Sequence, residues 1–155
     1  MDEATPRKDR LFCERLRIPG PIEGLTIYED PLVHASHWTD GDAPTYLGAI
    51  VLQTRRHTEN GLASLTDAEG QRIGLLVAQM SRALRVVAGS AWAHTYCFTE
   101  GFRQVHQFVM ARYPGMPPEH VRLGLSERKD APHGDHARVE RLVRELAQRV
   151  RPTAP

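Results

Sequence analysis

Cysteine is scarce in this chain. Among 155 residues there are two, Cys13 and Cys97, too few for a disulfide framework, so a reducing compartment and a cytoplasmic location are expected. An excess of charge is missing as well. Twenty lysines and arginines oppose 19 aspartates and glutamates, for a formal net charge of +1, with both signs mixed along the chain. That balance supplies neither the basic footprint of non-specific nucleic-acid binding nor a polybasic patch for anionic membranes. Neither nucleic acid nor membrane is expected as a partner. No apolar run approaches the roughly 18 residues of a membrane span, and the segment MDEATPRKDR lacks the apolar core of a secretory signal. There is also no internal repeat and no dividing linker. What remains, 41% hydrophobic and 25% charged, is the composition of one soluble domain able to bury a core unaided. Histidine is the abundant exception: there are eight, and their placement directs the search for chemistry.

Residues 1–10 are polar and aperiodic and read as a loose arm, followed by a short helical piece at Leu11–Leu16 that Ile18-Pro19-Gly20-Pro21 stops. Leu25–Glu29 and Leu32–His37 read as strands around an Asp30-Pro31 corner. Thr39–Pro44 is turn chemistry, and Gly48–Thr54 is strongly β-forming. Thr66-Asp67-Ala68-Glu69 is a capping box. Behind it Ile73, Leu76, Val77, Met80, Leu84 and Val87 recur at helical spacing, and Gly89 is a natural stop. A single apolar stripe means that this helix packs on a sheet. Trp92–Phe98 and Gln104–Met110 read as paired strands around Gly101, and about Asp135–Val150 as a last helix with Val139, Leu142, Val143, Leu146 and Val150 on one face. The order predicts an α+β fold: an antiparallel sheet of about five strands, one long helix at about 67–88 packed on it and a C-terminal helix. The expected organisation is an arm at 1–10, a domain at 11–118, and an extension at 119–155 whose helix packs on the same domain.

The strand at 104–110 carries the sharpest chemical question. Alternation puts Gln104, His106, Phe108 and Met110 on one face and Val105, Gln107 and Val109 on the other. Taken alone, His106 reads as a half-buried strand histidine with one hydrogen bond. Its surroundings add a resemblance. Thr26-Ile27-Tyr28-Glu29-Asp30, the run Gly48-Ala49-Ile50-Val51-Leu52-Gln53-Thr54-Arg55-Arg56-His57, the capped Leu65-Thr66-Asp67-Ala68-Glu69, and Gln104 to Gly115 follow one another in the order and spacing of the histidine triad (HIT) family. The chain resembles that family's small bacterial nucleotide-binding proteins from about Cys13 to Pro117. The last segment sits where the family has His-x-His-x-His, two apolar residues and Pro-Arg.

The resemblance implies a homodimer with two sheets joined across a two-fold axis, and the 67–88 helix near the interface. It also implies a pocket for nucleotides, in which the middle histidine, His106 here, attacks the α-phosphorus to give a covalent nucleotidyl-histidine. A neutral imidazole is nucleophilic near pH 7, and splitting the displacement lowers each barrier. The pattern is nevertheless broken. Gln104 and Phe108 replace the flanking triad histidines, Ala49 replaces a fourth, Ala111 replaces the proline, and Gln107 puts an amide at an apolar position. The ribose-binding aspartate falls near Trp38, which cannot accept two hydrogen bonds but can stack on a ring. Each preorganised donor to developing phosphate charge contributes roughly 3–4 kcal/mol, so the ancestral hydrolysis is expected to be feeble.

The sequence therefore leaves two readings. One is a HIT-like enzyme with a divergent site, acting on a nucleotide or another phosphorylated or acyl-activated small molecule. In it His106 is nucleophile or general base, Gln104 orients His106 or the substrate, Phe12, His37, Trp38 and Phe108 line the pocket, and Arg112 binds an anion or pairs with a surface carboxylate. The other is a non-catalytic nucleotide or small-molecule binding protein of the same descent. No cofactor is expected. No metal is expected either: some family members hold zinc with an early Cys-x-x-Cys, but here Cys13 stands alone, and a tetrahedral site needs four ligands. Cys97 reads as core. The facing of His94 is unreadable, His57 reads as structural, and His120, His133 and His136 as solvated.

Overall fold

A computed structural model describes residues 25–39, 44–100, 104–117 and 131–151. The predicted Leu11–Leu16 helix, Phe12, Cys13 and His120 lie outside the described residues.

Five strands form one antiparallel sheet: β1 (Thr26–Glu29), β2 (Val33–His37), β4 (Ala49–Thr54), β6 (His106–Arg112) and β5 (Trp92–Tyr96), in the spatial order β1-β2-β4-β6-β5. The β1–β2 corner is an aspartate turn. Asp30 accepts from the backbone N–H groups of Leu32 at 2.8 Å and Val33 at 2.9 Å, as Asx turns do. Between β4 and β5 comes α1 (Asp67–Val87), and α2 (His136–Ala147) follows at the C-terminal end. The capping box at the start of α1 is formed as read: Thr66 Oγ1 accepts from Glu69 N at 3.2 Å, and Glu69 Oε2 accepts from Thr66 N at 2.8 Å. Gly89, with φ 69°, ends the helix in the left-handed region that glycine enters without steric cost.

The stripe of α1, Ile73, Leu76, Met80, Ala83 and Leu84, packs on Val33, Ala35, Ile50, Leu52, Val105, Val109 and Ala111 of one sheet face. Val139, Val143 and Leu146 of α2 join the same core. Burying each large apolar side chain there contributes about 1.5–3 kcal/mol. Gly48, with φ 84°, makes the turn into β4, and a Cβ on it would lie 2.6 Å from that of Ala111. Only glycine fits so close to β6.

Several boundaries differ from the sequence reading: the strand from Trp92 ends at Tyr96 rather than Phe98, and the C-terminal helix ends at Ala147 rather than about Val150. The last long strand runs from His106 to Arg112 instead of from Gln104 to Met110. It starts late because the N–H of Val105 donates to Thr58 Oγ1 at 2.7 Å rather than to a neighbouring strand. It ends late because Ala111 N donates to Gly48 O at 2.9 Å and Arg112 O accepts from Ala91 N at 2.8 Å, extending the ladder. A second, two-stranded ladder, β3 (Thr45–Tyr46) with β7 (His133–Gly134), carries too few residues to leave a periodic signal. It makes His133 half-buried rather than solvated, its ring edge-on to Tyr46 at 5.9 Å and its Nδ1 donating to Ala131 O at 2.8 Å. Among the described residues no helix is long and apolar enough to cross a membrane.

Candidate functional site

The face of the sheet away from α1 is different in kind. Strand β6 lies between β4 and β5, and alternation turns His106, Phe108, Met110 and Arg112 outward on this side. The register places Gln53 opposite His106, Val51 and Tyr96 on either side of Phe108, Ala49 and His94 on either side of Met110, and Trp92 beside Arg112. Tyr46, Ala49, Met110 and Ala131 form a second, smaller buried cluster here, with Trp38, Tyr96 and Phe108 packed against it.

Phe108 is the centre of the aromatic group. Its ring stacks on Tyr96 at 5.2 Å, meets Trp38 edge-on at 5.6 Å and stands perpendicular to His106 at 6.0 Å. His106 is 5% exposed. Its Nδ1 lies 2.7 Å from the backbone oxygen of Gln104. A carbonyl only accepts, so Nδ1 carries the proton and the neutral ring has its lone pair on Nε2. Burial holds the ring below the ordinary histidine range, with the Gln104 carbonyl opposing that shift. A neutral, tautomer-fixed imidazole among aromatic rings is competent as a base or nucleophile near neutral pH.

Gln104 acts on this arrangement from below. Its amide nitrogen donates to Thr54 O at 2.7 Å, Thr54 Oγ1 at 2.7 Å and Arg56 O at 2.9 Å, and its Oε1 accepts from Thr58 N at 3.3 Å. The side chain thus staples the 54–58 turn to the start of β6, while the carbonyl of the same residue orients His106. Arg56 continues the chain of contacts with a two-pronged pair to Glu69, at 3.2 and 2.8 Å. The capped end of α1 is thereby tied to the strand that bears the histidine. The Arg56 guanidinium is the main cause that holds the Glu69 carboxyl below its usual range.

The other residues singled out in the sequence fall in three places. Phe108 adjoins His106, and Trp38 meets Phe108. His37 does not: paired with Ile50, it faces α1, is 1% exposed, and has both ring nitrogens on backbone. Its Nδ1 donates to Trp38 O at 2.7 Å and its Nε2 accepts from Gly48 N at 2.9 Å. Arg112 lies at the far end of β6, where its Nη2 donates to the carbonyls of Met116 at 2.7 Å and Pro117 at 3.3 Å. Tyr96 and His94 share the face of His106, which the sequence could not disclose. Alternation along β5 groups them, but only the β5–β6 register says which side they take. Cys97 packs against the main core and burial pushes its thiol up, so it is a poor nucleophile. Among the described residues no group of three or more histidine, cysteine, aspartate or glutamate side chains gathers to hold a metal ion.

No family model matches the sequence, and no curated protein matches it. Solved structures do. A zinc-bound histidine triad family protein from Mycobacterium smegmatis superimposes with a TM-score of 0.65 at 21% identity, over 89% of this chain and 93% of that one. A HIT-like protein involved in cell-cycle regulation from Bartonella henselae gives 0.64 at 13%, over 88% and 90%. A histidine triad protein from Sinorhizobium meliloti gives 0.64 at 17%, over 88% and 94%. With the sheet order, the long capped helix and His106 on the central part of the sheet, these likenesses lead to one conclusion: the chain has the histidine triad fold.

Proposed function

We propose that this chain is a HIT-like enzyme with a divergent site, in which His106 acts as nucleophile or general base on a nucleotide or another phosphorylated or acyl-activated small molecule. The observation that carries the reading is the fixed tautomer of His106, set by the Gln104 carbonyl at 2.7 Å. In the nucleophilic form, Nε2 attacks phosphorus, an N–P bond forms, the P–O bond to the leaving group breaks, and water then releases the nucleotidyl group. Phe108 stands where the fold's third histidine would be and has no proton to give. The site therefore favours leaving groups that depart as stable anions, such as the carboxylate of an acyl phosphate or the phosphate of an anhydride, over amines that need protonation. Phe108, Trp38 and Tyr96 offer flat apolar surface to a base or other ring.

The test compares turnover of acyl nucleotides, dinucleotides and nucleoside phosphoramidates by the wild type and by His106→Ala. Turnover of anhydrides above phosphoramidates, lost in the variant while ligand affinity and fold persist, supports the proposal. Absence of both turnover and calorimetric nucleotide binding overturns it. Intact binding with no turnover in either protein favours the second reading, a binding protein of the same descent. The aromatic replacement at Phe108 is what favours that reading.

The same proposal includes a homodimer working on a cytoplasmic small molecule. β5 is one of the two edge strands of the described sheet, bonded to β6 on one side, and it carries Trp92 at 69% exposure, with Phe98 at 56% just beyond it. An unpaired edge flanked by large exposed rings is suited to a second copy. Sedimentation of the wild type against Trp92→Lys, which is expected to be monomeric, tests it.

A further inference from the structure

A second group of polar atoms lies on the outward face, at the opposite end of β6 from His106. Trp92 pairs with Arg112 and His94 with Met110, so His94 and Arg112 are diagonal neighbours on one face. Such neighbours sit about 7–8 Å apart at Cα in an antiparallel ladder. One edge of the Arg112 guanidinium is clamped by the Met116 and Pro117 carbonyls. Among the described residues its buried Nε–H has no acceptor, and the buried His94 Nε2 likewise has no partner. No carboxylate among the described residues pairs with Arg112.

Two buried nitrogens without partners, beside a cation that no described carboxylate pairs, are costly together, because native structures satisfy such groups or give them a ligand. Burial and then the Arg112 charge hold His94 below the ordinary histidine range, so its ring is neutral near pH 7 and has one N–H to donate.

We infer that Arg112 Nε and His94 Nε2 form a binding site for an oxyanion, a carboxylate or a phosphate. The guanidinium supplies the charge and one donor, and the imidazole supplies the second donor. Arg112 is six residues beyond His106 on the same strand, about 20 Å at 3.3 Å per residue. The anion held here is therefore not the group that His106 would attack. It is a separate small anion or the remote anionic end of an extended ligand, and the site stands whether or not His106 is catalytic.

The test is a titration with inorganic phosphate, and separately with acetate, at constant ionic strength, read by calorimetry and by the His94 ring resonances. Saturable binding is expected in the wild type and in His106→Ala. Affinity should fall at least about tenfold in Arg112→Gln, since a charge-assisted bond is lost, and several-fold in His94→Phe. Binding of phosphate but not acetate assigns a phosphate site, and the reverse assigns a carboxylate site. Should Arg112→Gln fail to fold, His94→Phe and the resonance shift carry the test. No saturable binding of either anion, or binding undiminished by the variants, overturns the inference.

Discussion

His37 and His106 are held by one device on opposite faces of one sheet. In each, Nδ1 donates to a backbone carbonyl at 2.7 Å, so each ring is a neutral tautomer with its lone pair on Nε2. On the α1 face, that lone pair accepts the N–H of Gly48 and the ring becomes a bolt between β2 and the β3–β4 turn. On the outward face, the ring of His106 stands perpendicular to Phe108, which in turn meets Trp38 and Tyr96. A locked tautomer is thus common to a histidine held by backbone at both ring nitrogens and to one set beside an aromatic ring. The two surroundings differ because apolar packing closes one side of the sheet and aromatic rings furnish the other.

Several measurements sharpen or break that contrast. The largest effect should come from the closed face. Leu84, fully buried in the α1 core, should cost about 3–4 kcal/mol as Leu84→Ala in urea denaturation. Phe108→Ala, at a half-buried position, should cost about half as much by the same rule; equal costs would mean that the outward face is as tightly packed as the core.

The second is a pH effect. Burial first of all depresses His37 to about 4 from an ordinary 6.5. Its folded value lies below its unfolded one, so the unfolded chain binds the extra proton. Stability is then full above about pH 6.5 and is lost as the pH falls towards about 4, by about 3 kcal/mol in all. His37→Gln should flatten urea midpoints across that window, whereas an unchanged slope would remove His37 from its structural role.

Third, Gln104→Leu strands the N–H of Thr58 and the carbonyls of Thr54 and Arg56, and should destabilise by about 2 kcal/mol. Because the backbone carbonyl survives, the His106 tautomer should survive with it, visible in its ring nitrogen shifts. Turnover lost as completely as in His106→Ala would instead give the amide a direct part in chemistry. The smallest effect is expected at the cap: Thr66→Ala should cost about 1 kcal/mol in thermal unfolding and leave both histidines undisturbed.

Much of the fold was legible locally. The capping box at Thr66–Glu69, the stripe from Ile73 to Leu84 and the Asp30 turn each depend on residues a few positions apart, and the structure has all three. The site was legible in part. Alternation puts His106 and Phe108 on one face, and Trp38 meets Phe108 there. His37 reads as a pocket residue because its stretch, Val33–Trp38, lies close to where the resemblance puts the base and ribose pocket, but one step along a strand reverses the face. The Gln104 staple joins residues more than 40 positions apart, and no periodicity marks it.

By itself, then, the sequence determined what short-range physics can write: where helices start and stop, which stripe is apolar, and which side chains of a strand share a side. The tertiary structure alone decided which side is inside. That choice needs the register between β5, β6 and β4, and register is set by hydrogen bonds and packing between distant segments. The same pairing brings His94 beside Arg112, where two buried nitrogens have no partner among the described residues.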